Sequence, residues 1–135
     1  MSPPLLVAAS AAIVGALGCG HLVLTYFGPK LLPRDRSLID AMRSVSPVLT
    51  RQTTIWRAWI GFNVSHSLGA ILFGLVYGYL ALAHPGFLFA SRFLLGVGLA
   101  LLATYVVLAW RYWFVTPLAG TSVAFVCFAA AVALA

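Results

Sequence analysis

His66 stands inside an apolar run, "WIGFNVSHSLGAILFG" over residues 59–74, with Asn63, Ser65 and Ser67 within three positions of it. An imidazole titrates near neutral pH, so it can take or give a proton under ordinary conditions. His21 is a second imidazole in another apolar stretch, and Tyr105 is a phenol able to polarise an oxygen. His66, His21 and Tyr105 are therefore the candidate catalytic residues. Asn63 lies three before His66 and shares its helical face. Arg57 and Arg111 suit a phosphate or carboxylate, and Trp59, at the start of the same expected span as Arg57, is included with them. These four are the candidate ligand-binding residues. No metal site is expected, because Cys19 and Cys127 lie in apolar stretches without CxxC or Cys/His spacing and read as buried structural thiols.

Only hydrocarbon explains the elements that must carry these groups. Of 135 residues, 63% are hydrophobic and 7% charged, far below the roughly 25% charged residues of a soluble domain. The chain is expected to be an all-α polytopic membrane protein, a four-helix bundle forming one domain over residues 1–135. Four spans of about 20 residues each and their connections use nearly all of it. The expected spans are 4–27, 55–83, 89–112 and 116–135, with a short amphipathic helix over 37–52 between the first two.

The breakers and periodicities set those limits. Gly28-Pro29 closes the first span and His84-Pro85-Gly86 reads as a tight turn after the second. The first span resembles a signal peptide in hydropathy, yet it lacks a basic leader and runs on past Cys19 to Phe27, so it is expected to stay uncleaved. In 37–52, Leu38, Met42, Val45 and Leu49 recur at helical steps, with Arg36 and Asp40 placed as an i,i+4 pair and Pro47 as a kink or break. Small residues at helical spacing, namely Ala11, Gly15 and Gly18, Gly61, Ser65 and Gly69, Ala70, Gly74 and Gly78, and Gly96 and Ala100, mark faces where helices can approach closely.

The net charge of +6 is unevenly placed. Lys30, Arg34, Arg36, Arg43, Arg51, Arg57 and Arg111 fall on one side of the expected spans and Arg92 alone on the other. The positive-inside rule puts the 28–54 loop in the cytoplasm and both termini outside, in a cell inner (cytoplasmic) membrane. Anionic headgroups account for the basic balance, and no nucleic-acid partner is called for. Trp56 and Trp59, with Trp110, Tyr112 and Trp113, form aromatic belts at that interface.

Counting along the spans at about 1.5 Å per residue puts His21, Asn63, Tyr105 and Thr121-Ser122 all at about 10 Å below the cytoplasmic surface, with His66 one turn deeper. Polar groups at such depth face a bundle interior or a wet cavity. Hydroxyls can instead bond their own helix backbone, which is the expectation for Ser65, Ser67, Thr121 and Ser122. Asn63-Val64-Ser65 matches a glycosylation sequon but would be out of reach in the bilayer. Ser65-His66-Ser67 makes no triad, for want of an orienting acid.

The function expected from these residues is a polar pocket that binds a lipophilic small molecule or lipid with a polar or anionic end, or acts on it by acid/base chemistry. The alternative is a non-catalytic accessory subunit or self-associating bundle, a homo-oligomer or part of a larger membrane complex, favoured by the abundance of small-residue stripes. A b-type haem held by His21 and His66 is a lesser expectation. A small transporter is disfavoured, because no intramembrane Asp or Glu is present to carry ion coupling.

Overall fold

The computed structural model describes residues 1–135. It is all-helical: α1 Pro3–Tyr26, α2 Arg36–Ser44, α3 Ile55–Ala83, α4 Pro85–Ala90, α5 Arg92–Tyr112 and α6 Val115–Leu134. Helices α1, α3, α5 and α6 are each long and apolar enough to cross a membrane, and the chain is a four-helix membrane bundle of the expected class. Backbone N–H and C=O groups have no water to bond in hydrocarbon, which is why each span is an uninterrupted helix.

The ends of these helices follow local chemistry. Pro3 and Pro4 sit in the first turn of α1, where a missing N–H costs nothing. Beyond its last turn Gly28 adopts φ 90°, the only positive φ in the chain, and Pro29 prevents resumption. α3 has 29 residues, about 44 Å at 1.5 Å per residue, more than the roughly 30 Å of hydrocarbon needs. Two expected boundaries change. The turn after α3 is the short helix α4, whose Leu88 is fully buried. The third span starts at Arg92 rather than residue 89, because Ser91 interrupts and caps it, its Oγ accepting from Leu94 N at 3.3 Å.

The amphipathic helix is also shorter than expected, nine residues ending at Ser44. Pro47 has no N–H to give and keeps the preceding Ser46 away from helical geometry, and the helix has already ended at Val45, which is extended. The carbonyl of Val45 accepts from Ile55 N at 2.9 Å, which ties the end of α2 to the start of α3. Arg36 and Asp40 do not form the ion pair their spacing permits, and no residue of α2 is buried.

The chain divides into two compact units, Met1–Leu17 with Ala70–Ala135, and Gly18–Gly69. In the first, small residues let backbones meet: a Cβ on Gly74 would lie 2.8 Å from Gly15 Cα and 2.9 Å from the Ala11 carbonyl, and Gly78 faces Ala11. Phe73, Tyr77 and Phe128 form its aromatic centre, with ring centroids 4.5 Å apart for Phe73–Tyr77 and 5.4 Å for Tyr77–Phe128. The Tyr77 hydroxyl donates to the Leu94 carbonyl at 2.7 Å, which satisfies a polar group that apolar surroundings would otherwise penalise. Phe128 lies against Gly98, leaving no room for a Cβ there.

The expected stripes are used selectively. Ala11-Gly15 and Ala70-Gly74-Gly78 are packed as expected, whereas Gly61, Ser65 and Gly69 on α3 and Gly96 and Ala100 on α5 are exposed, with nothing within 4 Å of a Cβ on Gly61 or Gly96. In α5 the packed face is instead Gly98, Leu102, Tyr105 and Ala109. Spacing shows that a close approach is possible, and the shape of the opposing side chain decides which face makes it.

Candidate functional site

The unit Gly18–Gly69 brings together three of the expected site residues. His21 comes from α1, and Asn63 and His66 from α3. His21 Nε2 and Asn63 Oδ1 are 2.9 Å apart, so the two residues placed at one depth by counting are in direct contact. The rings of His21 and His66 meet edge to face, with centroids 5.4 Å apart and planes at 88°. One turn along α3 is enough for His66 to reach the same imidazole from below.

The geometry fixes which atoms carry protons. Asn63 Nδ2 donates to the Trp59 carbonyl at 2.8 Å, four residues earlier on its own helix. Only the amide nitrogen can make that bond, so the amide oxygen is the atom turned to His21. An oxygen accepts, so His21 Nε2 carries the proton, and in the neutral ring the basic lone pair is on Nδ1. Asn63 thus orients the imidazole and selects its tautomer. Its oxygen is committed to that task, which makes it a positioning residue for His21.

The surroundings complete this arrangement. Thr25 is buried and its Oγ1 donates to the His21 carbonyl at 2.8 Å. Ser67, fully buried, donates to the Asn63 carbonyl at 2.9 Å, and Ser65 donates to the Phe62 carbonyl at 2.9 Å. Thr121, in the other unit, bonds the Pro117 carbonyl at 2.8 Å. These hydroxyls serve their own helices, as the sequence led us to expect for Ser65, Ser67 and Thr121, whereas Ser122, for which the same was expected, makes no such bond. Thr25 was missed there, since a lone threonine near a helix end carries no signal that distinguishes it.

Above the histidines, α3 presents aromatic surface. Trp56 and Trp59 stack with centroids 5.5 Å apart and planes at 25°. The Arg43 guanidinium of α2 lies over Trp56, 5.2 Å from its centroid, a cation–π contact that belongs to the same unit. Arg57 is exposed and directs no side-chain hydrogen bond to protein. Asp35 caps α2: its carboxylate accepts from Ser37 N and Ser37 Oγ, both at 2.8 Å, and these bonds hold its carboxyl below the ordinary aspartate value.

Tyr105 and Arg111 lie on α5, in the other unit. Tyr105 is buried, with its ring 6.2 Å from that of Trp113, and Arg111 is exposed in the last turn of α5, where a cation suits the terminal carbonyls. Cys127 is half-buried, while Cys19 is exposed rather than buried, which corrects the expectation for that thiol.

The donor set suits proton exchange better than metal binding. No group of three or more His, Cys, Asp or Glu converges. A haem between His21 and His66 fits poorly. Two iron–imidazole bonds of about 2 Å each, as for other metals, together with the ring radii exceed the 5.4 Å between centroids. His21 Nε2 is in addition held by Asn63. Comparison with known protein families, characterised proteins and solved structures finds no match.

Proposed function

We propose that residues 18–69 carry a membrane-embedded site that takes a lipophilic molecule with a polar or anionic end from the bilayer, and binds it or acts on it by acid/base chemistry at His21 and His66. The observation that carries this reading is the pair of hydrogen bonds at Asn63, one to the Trp59 carbonyl and one to His21. An imidazole held in one tautomer presents a defined base, Nδ1, to whatever approaches it. His66, in contact with the same ring, is the second proton-exchanging group. Tyr105 and Arg111 remain candidates from the sequence alone, and Arg57 is an exposed cation able to attract an anionic end.

The site lies in the cytoplasmic half of a cell inner membrane in this proposal, with the basic 28–54 loop inside and both termini outside. Purification in mild detergent followed by mass spectrometry of co-purified small molecules tests it. His21→Ala and His66→Ala should each deplete a retained amphiphile, and equal retention by wild type and both variants would remove the proposal.

A second reading has its own observation. The exposed Gly61-Ser65-Gly69 face of α3, open at Gly61, suits another helix. A self-associating bundle or accessory subunit would cover it. Gly61→Leu should then shift the assembly to a smaller size in detergent, and an unchanged monomer in both forms would discard that reading.

A further inference from the structure

Trp56, Trp59, Asn63 and His66 follow one another at steps of three, four and three, so they occupy a single face of α3. α2 supplies the upper end of that face. Arg43 stacks on Trp56, and the Val45–Ile55 backbone bond fixes the chain between them. Arg36, Ile39, Asp40 and Arg43 line one concavity on α2. Neither arginine is paired with a carboxylate. Asp35 is engaged with Ser37, while Asp40, the other carboxylate, lines the same concavity as the two arginines without forming an ion pair. Beside this charge, Leu38, Val45 and Leu49 are exposed, Leu49 at 93%. Unpaired guanidinium groups next to bare aliphatic side chains suit the boundary between headgroups and acyl chains.

We infer that the ligand of the histidine site is an anionic membrane lipid whose phosphate is held by Arg36 and Arg43 and whose chain runs down the Trp56–Trp59 face to His21 and His66. Three physical points support it. A guanidinium group matches a phosphate in charge and hydrogen-bond geometry, and Arg36 and Arg43 bring two of them to one concavity. Indole faces give a flat apolar wall at the depth where the polar end of a lipid passes into its chain. The distance sets the kind of lipid: His66 is ten residues below Trp56 on the same face, about 15 Å along the axis at 1.5 Å per residue. The imidazoles therefore meet the chain of the lipid, well below its phosphate, and a functional group carried within that chain is what they would contact. Asp40 opposes the anion, so its charge weakens the site and sets an upper limit on its affinity.

This inference rests on the assignment of His21 and His66 as ligand-facing, and its test separates the two. The protein is reconstituted in phosphatidylcholine nanodiscs containing phosphatidylglycerol with a photoreactive group midway along one acyl chain, and cross-linked peptides are mapped. Cross-links should fall on residues near His21 and His66. Arg36→Gln and Arg43→Gln should each reduce them about fivefold, the effect of about 1 kcal/mol per basic residue at a membrane surface. Asp40→Asn should increase them, and Arg51→Gln, outside the concavity, should reduce them less than either Arg36→Gln or Arg43→Gln. The inference is overturned if the Arg36 and Arg43 variants lose no more labelling than Arg51→Gln, or if the phosphatidylcholine analogue labels equally well. If those variants behave as expected but His21→Ala and His66→Ala retain every co-purified molecule, the lipid site stands and the histidine proposal fails.

Discussion

His21 and Asn63, separated by 42 positions in the chain, meet through a 2.9 Å hydrogen bond that joins α1 to α3. The bond to the Trp59 carbonyl leaves Asn63 one way to face, and that in turn leaves His21 one tautomer. Nitrogen-15 spectra of histidine-labelled protein in nanodiscs should show His21 as the Nε2–H form when neutral. Asn63→Leu should mix the tautomers and destabilise the bundle by about 1 kcal/mol, between the 0.6 typical of interhelical hydrogen bonds and the larger cost of an orphaned N–H. Unaltered spectra in the variant would show that Asn63 does not set the ring.

Close backbone approach at Gly74 gives a sharper mechanical expectation. A methyl group there would collide with Gly15 Cα and the Ala11 carbonyl, neither of which can rotate away. Gly74→Ala should cost about 1–3 kcal/mol, the usual penalty of overpacking. Gly61→Ala, with open space around it, should be neutral or stabilising by up to about 1 kcal/mol through helix propensity. Thermal unfolding in detergent separates the two, and equal effects would refute the packing assigned to α1 and α3.

Phe128 and Gly98 form a shape-matched pair of the same unit. Gly98→Ala should be destabilised because the ring of Phe128 occupies the space a Cβ needs, with its Cε carbons only 3.0 Å from that position. Combining it with Phe128→Leu should recover part of the loss, a coupling that a double-mutant cycle measures directly. Strict additivity would contradict the contact.

Ser10 predicts the opposite sign. It is fully buried on α1 and its hydroxyl has no hydrogen-bond partner. Removing an unsatisfied buried hydroxyl is favourable, so Ser10→Ala should raise stability by about 1 kcal/mol. A clear loss of stability would mean that the hydroxyl is satisfied in the membrane.

The cap of α2 makes stability depend on pH in a defined direction. Bonds from Ser37 lower the Asp35 carboxyl below the ordinary 3.8, so the folded form favours the carboxylate. That contribution is complete above the ordinary value and is lost as pH falls through the lowered one. Amide exchange in residues 36–44 should therefore accelerate on acidification below about pH 4. Asp35→Asn, which keeps an acceptor but no charge, should remove most of that dependence, and a helix insensitive to acid in both forms would refute the cap.

The spans were legible because hydrocarbon demands long apolar helices and tolerates few alternatives, and Gly28-Pro29 and Pro47 act through backbone sterics that need no tertiary context. The level placement of His21 and Asn63 was legible too, since helical rise is constant. The limits were set by shape and partner choice. Gly98, rather than Gly96, is the close-contact glycine of α5 because Phe128 lies on that side. Nothing in the spacing of Arg43 and Trp56 announces their contact, which depends on how the extended segment after Val45 returns the chain to α3. Arg36 and Asp40 had the right spacing for an ion pair and do not form one, as exposed side chains gain little from ordering themselves.

The most direct test of the histidine site is a density map of the protein crystallised from a lipid mesophase containing phosphatidylglycerol. Elongated non-protein density is expected along the Trp56–Trp59 face, its far end in van der Waals contact with the His21 or His66 ring. Density showing both imidazoles enclosed by protein side chains alone, with no lipid reaching either, would contradict it.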